Sequence, residues 1–327
     1  MNKIFLCIAL GLLSINNLWA QDSLTIRIPS QILPSSSRIL LRTEEAYHVL
    51  PKDDTLIQIT LPAERIPTFV GLSTLNKKNK LTHISPLLWT DNNEVSFTKT
   101  DAGYRLRKLY PGQKIWQQIQ SNSEKKQIET IKQHITTYPA IYALYKIQED
   151  ISTDLLTELY NKIPESKRQY HYARCIASKL EASSYSKVKK GRHMPDMALP
   201  DSTMTLQSIL PTNDNPQLIA YLGTGCFFSL ASISQLRHLN DLYHSRLNIT
   251  TIWADKTYST WQHARKDKKA PVCWLDLWDE TELFDKIVGI KAFPTYILID
   301  KQGKVVKRWH KYKPQKLDKQ IEKLLNL

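Results

Sequence analysis

The stretch Y221-L-G-T-G-C-F-F-S-L-A-S-I-S-Q-L236 holds the residue best placed for chemistry. An apolar run ends at Leu222, a tight turn follows, and Cys226 stands where a helix begins. A thiol in that place meets unpaired backbone N–H groups and the positive end of the helix dipole, which favour thiolate over thiol. A thiolate attacks a disulfide and leaves a mixed disulfide, and a second thiol must then release it. Three positions on, where that second cysteine would sit, the chain carries Ser229, which cannot form the bond.

The other specific segment is V288-G-I-K-A-F-P-T-Y-I-L-I-D-K-Q-G-K-V-V306, in which Phe293-Pro294-Thr295 opens a strand that ends at Asp300 and turns at Gly303. It strongly resembles the cis-proline half of a thioredoxin fold. The segment G191-R-H-M-P-D-M-A-L-P-D-S-T-M-T-L-Q-S-I209 is similar to the opening segment of the TlpA/ResA-like and peroxiredoxin-like branches of that superfamily. The resemblance is specific over about residues 188–327 and architectural before that. Together the pieces look like the exported, multi-domain TlpA-like thiol-disulfide oxidoreductases of Bacteroidota, with a degenerate CxxS in place of CxxC.

The resemblance implies that Cys226 matches the first cysteine of the family motif, with Ser229 in place of the resolving one. It further implies that Pro294 is cis, lies beside the nucleophilic sulfur and clamps a substrate strand. Phe227, Phe228, Phe293 and Thr295 would then face the substrate. The departures are as informative. The family's aromatic before the first cysteine is Gly225 here, its Gly-Pro pair is Phe227-Phe228, and the acidic positions of the motif fall at Ala220 and Ser232. A proton relay in either familiar place is missing, which weakens a full reductase cycle.

Two further cysteines follow the N-terminal segment. Cys175, in H171-Y-A-R-C-I-A-S-K-L180, reads as a buried structural residue within a helix, with nothing nearby to activate it. Cys273 shares a strand pattern with Leu275 and Leu277, and three roles stay open for it: a core position, a surface thiol, or a resolving thiol for Cys226. With Cys226 the count is odd, which leaves at least one thiol unpaired in an exported chain. His238 and His263 show no metal-ligand spacing, and no cofactor motif is present.

The elements that must position these residues divide the chain into four stretches. Residues 1–20 read as a signal peptide: one lysine, an apolar run from Ile4 to about Ile15, and a small residue at Ala20. Residues 21–110 alternate at strand period, as at Leu24, Ile26 and Ile28, at Ile57, Ile59 and Leu61, and at Val95 and Phe97, and predict a small antiparallel β-domain. Residues 111–187 carry helical spacing at Ile128, Ile131 and Ile135 and a capped start at S152-T-D, broken by Pro139 and Pro164. Residues 188–327 alternate strand and helix, with Leu230, Ile233, Leu236 and Leu239 as one helical face, and predict an α/β domain with a mixed central sheet, which the resemblance implies is thioredoxin-like.

Of 327 residues 42% are hydrophobic and 23% charged, enough for ordinary cores and against global disorder. The formal net charge of +14, or +13 once Lys3 leaves with the leader, places an acidic partner or anionic envelope surface among the possible associations. No nucleic-acid module accompanies it, and no segment after the leader is apolar enough to span a membrane. The expectation is a periplasmic or otherwise exported soluble protein. Its partners would be thiols or disulfides of envelope proteins, met by exchange through one sulfur or, alternatively, by a non-catalytic groove for an extended peptide.

Overall fold

The structure is a computed structural model that describes residues 23–34, 38–43, 47–51, 56–62, 67–101, 103–210, 213–265 and 272–326. The signal-peptide stretch lies outside them. The chain divides into two compact units, residues 1–123 and 124–327.

In the first unit the strands are β1 (Ser23–Pro29), β2 (Arg38–Thr43), β3 (Tyr47–Val49), β4 (Leu56–Pro62), β5 (Thr68–Leu75), β6 (Leu81–His83), β7 (Leu88–Thr90), β8 (Glu94–Thr100) and β9 (Gly103–Leu106). They form two sheets. One, ordered β3-β2-β5-β6 with β7 also on β5, is antiparallel throughout. The other, β4-β1-β8-β9, contains a parallel pair, β1 with β8, so the expected all-antiparallel pattern needs that correction. A hairpin turn cannot join parallel neighbours, and here the whole other sheet intervenes between β1 and β8. Alternating residues fill the core: Leu24, Ile26, Ile28, Ile57, Val95 and Phe97 are all buried. Helix α1 (Pro111–Ser121) belongs to this unit, with the Gly112 N–H on Asp91 Oδ2 at 2.8 Å.

The second unit begins with α2 (Glu124–His134), α3 (Tyr138–Ile147), α4 (Thr153–Asn161) and α5 (His171–Ala182). The helical stretch 111–187 is thus shared between the two units. Ser152 caps α4, its hydroxyl accepting from Leu155 N at 3.2 Å. A hairpin of β10 (Ala198–Pro200) and β11 (Leu206–Ser208) leads into β12 (Gln217–Leu222), α6 (Phe227–Tyr243), β13 (Asn248–Trp253), α7 (Tyr258–Arg265), β14 (Leu275–Trp278), α8 (Leu283–Val288), β15 (Thr295–Ile299), β16 (Val305–His310) and α9 (Pro314–Leu325).

The sheet runs β14-β13-β12-β15-β16, with the first three strands parallel and the last two antiparallel. Strand and helix alternate and the run closes in a hairpin and a terminal helix, the mixed α/β sheet that the alternation predicts. Both faces are covered, and β12 and β15 accordingly have no exposed residue. On one face Leu218, Ala220, Leu236, Trp253, Trp261 and Tyr296 share a core with Leu317 and Ile321 of α9. On the other, Tyr221, Ile252, Ile297, Phe284 and Ile287 pack together. Leu230, in the first turn of α6, departs from the expected helical face and is 44% exposed.

Helices α3 and α5 are tied to the segment before α8. Arg174 makes a bidentate ion pair with Glu280, Ser178 donates to Thr281 Oγ1 at 2.7 Å, and Tyr145 donates to Glu282 Oε1 at 3.0 Å. Burial alone would raise the Glu280 carboxyl, but the His171 hydrogen bond and the Arg174 charge hold it down to about 2, against an ordinary 4.5. A carboxyl depressed in the folded state contributes stability that is present above its unfolded pKa and lost as pH falls through its folded one. Unfolding in urea should therefore show an acid-side loss of about 3 kcal/mol between pH 4.5 and 2. Glu280→Gln should remove that acid limb and cost about 3–5 kcal/mol at neutral pH. An unchanged pH profile in the variant would show that Glu280 is not the titrating group.

Candidate active site

The register of β12 against β15 assembles the site. Tyr221 pairs with Thr295, so the turn that leaves β12 faces the residues that enter β15. The Phe293–Pro294 peptide bond there is cis. Cys226 is the N-cap of α6, with extended backbone (φ −106°, ψ 112°), and its carbonyl accepts from Ser229 N at 3.0 Å and Leu230 N at 3.2 Å. Its thiol donates to the Phe293 carbonyl at 3.7 Å. Cys226, Phe293 and Pro294 are therefore together, at the N-terminus of α6.

Around them the side chains differ in exposure. Phe227 is 76% exposed, Phe228 56% and Phe293 42%, an apolar surface beside a half-buried thiol. Ser229 is buried and accepts from the Gly223 N–H at 3.3 Å, which pins the turn from beneath. Thr295 corrects the expectation of a substrate-facing side chain: it is buried, and its hydroxyl donates to the Ala292 carbonyl at 2.7 Å. The second residue of the pair Pro294-Thr295 starts a central strand, and its side chain closes the loop instead of lining a surface.

Cys273 also needs correcting. It is exposed, precedes β14 and is not within it, and its sulfur accepts from Asn240 Nδ2 at 3.4 Å. Asn240 lies near the C-terminal end of α6 and Cys226 at its N-terminus, about 21 Å apart along the axis at 1.5 Å per residue. A disulfide needs Cα atoms within about 7 Å. The two sulfurs lie at opposite ends of the sheet, and Cys273 cannot resolve an adduct on Cys226. All three described cysteines are free thiols.

Several contributors escape a reading of the sequence. Asp255, just beyond the end of β13, accepts from Thr224 N at 3.0 Å and from the Thr224 hydroxyl, anchoring the turn two residues before Cys226. Burial raises its carboxyl, with the Thr224 bonds opposing. Its signal is topological: a polar residue at the C-terminal end of a parallel strand, next to the strand that carries the thiol. Tyr221 lies under Phe293, the rings stacked at 5.6 Å, and donates to Asp279 Oδ2 at 2.9 Å. Burial pushes the Asp279 carboxyl up to about 6, although Asp285 N, Phe284 N and Tyr221 all donate to it.

Cys175 is buried as expected, but it is not without a partner. Its sulfur lies 3.3 Å from His171 Nε2, and His171 Nδ1 is 3.4 Å from Glu280 Oε1. The spacing of four residues on one helix is legible in the sequence, whereas Glu280 arrives from a distant part of the chain. The row is sealed from solvent, with Cys175 fully buried. Among the described residues no group of three or more His, Cys, Asp or Glu converges as a metal site.

No protein-family model matches this chain, and no curated protein matches it. Solved structures do. A thioredoxin domain of a thiol-disulfide oxidoreductase from Bacteroides vulgatus is 19% identical, with 42% of this chain and 99% of that one covered and a TM-score of 0.38. A thiol-disulfide oxidoreductase from Bacteroides fragilis is 22% identical, with coverages of 39% and 99% and a TM-score of 0.35. A thiol:disulfide interchange protein from Bacteroides sp. is 20% identical, with coverages of 43% and 92% and a TM-score of 0.36.

The three thiols should separate by access. In native protein, alkylation followed by peptide mass spectrometry should label Cys226 and Cys273 and spare Cys175 until denaturant is added. A non-reducing peptide map should contain no Cys226–Cys273 bridge, and finding one would refute the placement of these residues at opposite ends of the sheet.

Proposed function

We propose that this is an exported thioredoxin-like protein of the TlpA/ResA type that carries out thiol-disulfide exchange through a single sulfur, Cys226, beside cis-Pro294. The observation that carries the reading is the Cys226 thiol at the α6 N-terminus, 3.7 Å from the carbonyl of the cis peptide's first residue. The Cys226 thiolate attacks one sulfur of a substrate disulfide. The substrate S–S bond breaks, a Cys226–substrate disulfide forms, and the displaced sulfur leaves as thiolate and takes a proton from water. A cysteine of the substrate, or a small external thiol, then attacks the adduct and returns Cys226 as thiolate. With the substrate's own cysteine as attacker, disulfides are shuffled with no net oxidation or reduction.

Ser229 limits the chemistry to this. Its buried hydroxyl holds the turn and provides no second sulfur. Phe227, Phe228 and Phe293 give the substrate an apolar surface, and Pro294 orders the loop that meets it. Residues 1–20 supply the export signal in this reading, and thiols or disulfides of envelope proteins are the partners. Among the described residues no helix is long and apolar enough to cross a membrane.

A second reading has its own observation: two adjacent, strongly exposed phenylalanines at the tip of α6 fit an extended apolar peptide without any covalent step. Trapping separates the two. Mixed disulfides recovered with envelope proteins should vanish in Cys226→Ala, and adducts that persist would move the chemistry to another cysteine. Partner recovery that survives both Cys226→Ser and full reduction would favour the groove. Ser229→Cys should give measurable insulin reduction where the wild type gives none, and an inactive variant would mean that more than one residue separates this site from a dithiol one.

A further inference from the structure

The apolar patch at the sulfur is set in a basic rim. Two consecutive carbonyls of the cis loop are held by different parts of the chain: Phe293 O accepts from the Cys226 thiol at 3.7 Å, and Pro294 O accepts from Lys311 N at 3.2 Å. The first contact brings in the start of α6. The second brings in W309-H-K-Y-K-P-Q-K316, which runs from the end of β16 into α9. Lys311, Lys313 and Lys316 of that segment are exposed, and so is Lys291, two residues before Phe293.

No negative charge offsets them locally. The stretches that meet at the sulfur, residues 223–236, 289–296 and 309–316, contain no aspartate or glutamate. Carboxylates that do reach these stretches are engaged: Asp255 with Thr224, Asp285 with Ile290 N, and Asp318 with the Gln235 side chain. The positive charge of the chain thus borders the exposed phenylalanines at the one place where a thiol stands among them.

We propose that the site selects an extended protein segment in which acidic residues flank an apolar residue and the disulfide-bonded cysteine. The apolar residue lies on Phe227, Phe228 and Phe293, and the carboxylates meet Lys291, Lys311 and Lys313. The proposal rests on the thiol-exchange reading above and names its substrate class. Single exposed ion pairs add little affinity, but several charges of one sign steer encounter, so selection shows in the rate of attack and weakens with salt. A protein segment fits better than a lipid surface because the sulfur is part of the patch, and a bilayer seated on the phenylalanines would cover the group that reacts.

The test uses the full chain and two synthetic peptides of one length, each with a phenylalanine and a cysteine carried as its 2-pyridyl disulfide. Flanking residues are glutamate in one and lysine in the other. The Cys226 thiolate attacks the peptide sulfur, the bond to the pyridyl sulfur breaks, a Cys226–peptide disulfide forms, and the leaving group takes a proton from water as pyridine-2-thione. Peptide mass spectrometry follows the adduct on Cys226. At low ionic strength the glutamate peptide should add about tenfold faster than the lysine peptide, and the difference should collapse at about 1 M salt.

The combined variant Lys291→Glu, Lys311→Glu and Lys313→Glu should abolish the preference. Should it fail to fold, glutamine at the same three positions should still reduce it. The same change of charge at Lys189, Lys190 and Lys301 should leave it intact, because these exposed lysines lie where Gly191 N meets Val305 O and where β15 turns into β16. A preference lost equally in that control overturns the proposal by assigning it to net charge alone. Shielding of Cys226 from alkylation by phosphatidylglycerol vesicles, with no preference between peptides, also overturns it and gives the rim to an anionic membrane. Equal rates for the two peptides in the wild type sink this inference alone, and a wild type that adds neither peptide sinks the exchange reading with it.

Discussion

The second unit depends on one pairing, that of β12 against β15. Antiparallel register puts Tyr221 opposite Thr295 and Ala220 opposite Tyr296, and everything at the site follows from those two rungs. The first brings the turn that carries Cys226 to the loop that carries Pro294. The second sets Tyr296 beside Ala220 in the core. A slip of one residue would exchange the faces of the strand, burying Tyr221 where Ala220 now sits and separating the sulfur from the Phe293 carbonyl. Because both faces of the sheet are packed, apolar burial on each side resists such a slip.

Around that pairing the fold uses charge sparingly and mostly underneath. Asp255 anchors the turn, Asp279 holds Tyr221, and Tyr221 supports Phe293. Glu280, the next residue, is held by Arg174 and His171 of α5. These are neighbouring contacts of one compact unit, and they connect the helical region to the ground on which the cis peptide stands. The surface above them is apolar and carries no formal charge at Phe227, Phe228 or Phe293. The site thus sets one half-buried sulfur beside an apolar surface.

Much of this is legible along the chain, for identifiable reasons. The apolar run of β12, the helical start at Cys226 and the Phe293-Pro294-Thr295 opening of β15 are local signals, set by side-chain periodicity and turn chemistry. Cys273 falls outside its expected strand because alternation with Leu275 and Leu277 cannot mark where a strand begins: β14 opens only at Leu275. Thr295 turns inward because it begins a central strand packed on both faces, and its hydroxyl closes on the Ala292 carbonyl. The parallel β1–β8 pair is invisible in the sequence because alternation reports which face is buried and not which neighbour lies alongside.

By itself the sequence determined that the chain holds one sulfur at a helix start with serine three residues on, since both are matters of residue identity and local period. Only the tertiary structure decided what surrounds that sulfur. Asp255 comes to the turn before it, and Tyr221 and Asp279 to the ground under Phe293, from strands and loops far apart in sequence, polar or aromatic in ways that carry no periodic signal. Their convergence depends on strand order and register, which are fixed by packing both faces of one sheet at once. The same physics parted Cys273 from Cys226, by laying the whole of α6 between them.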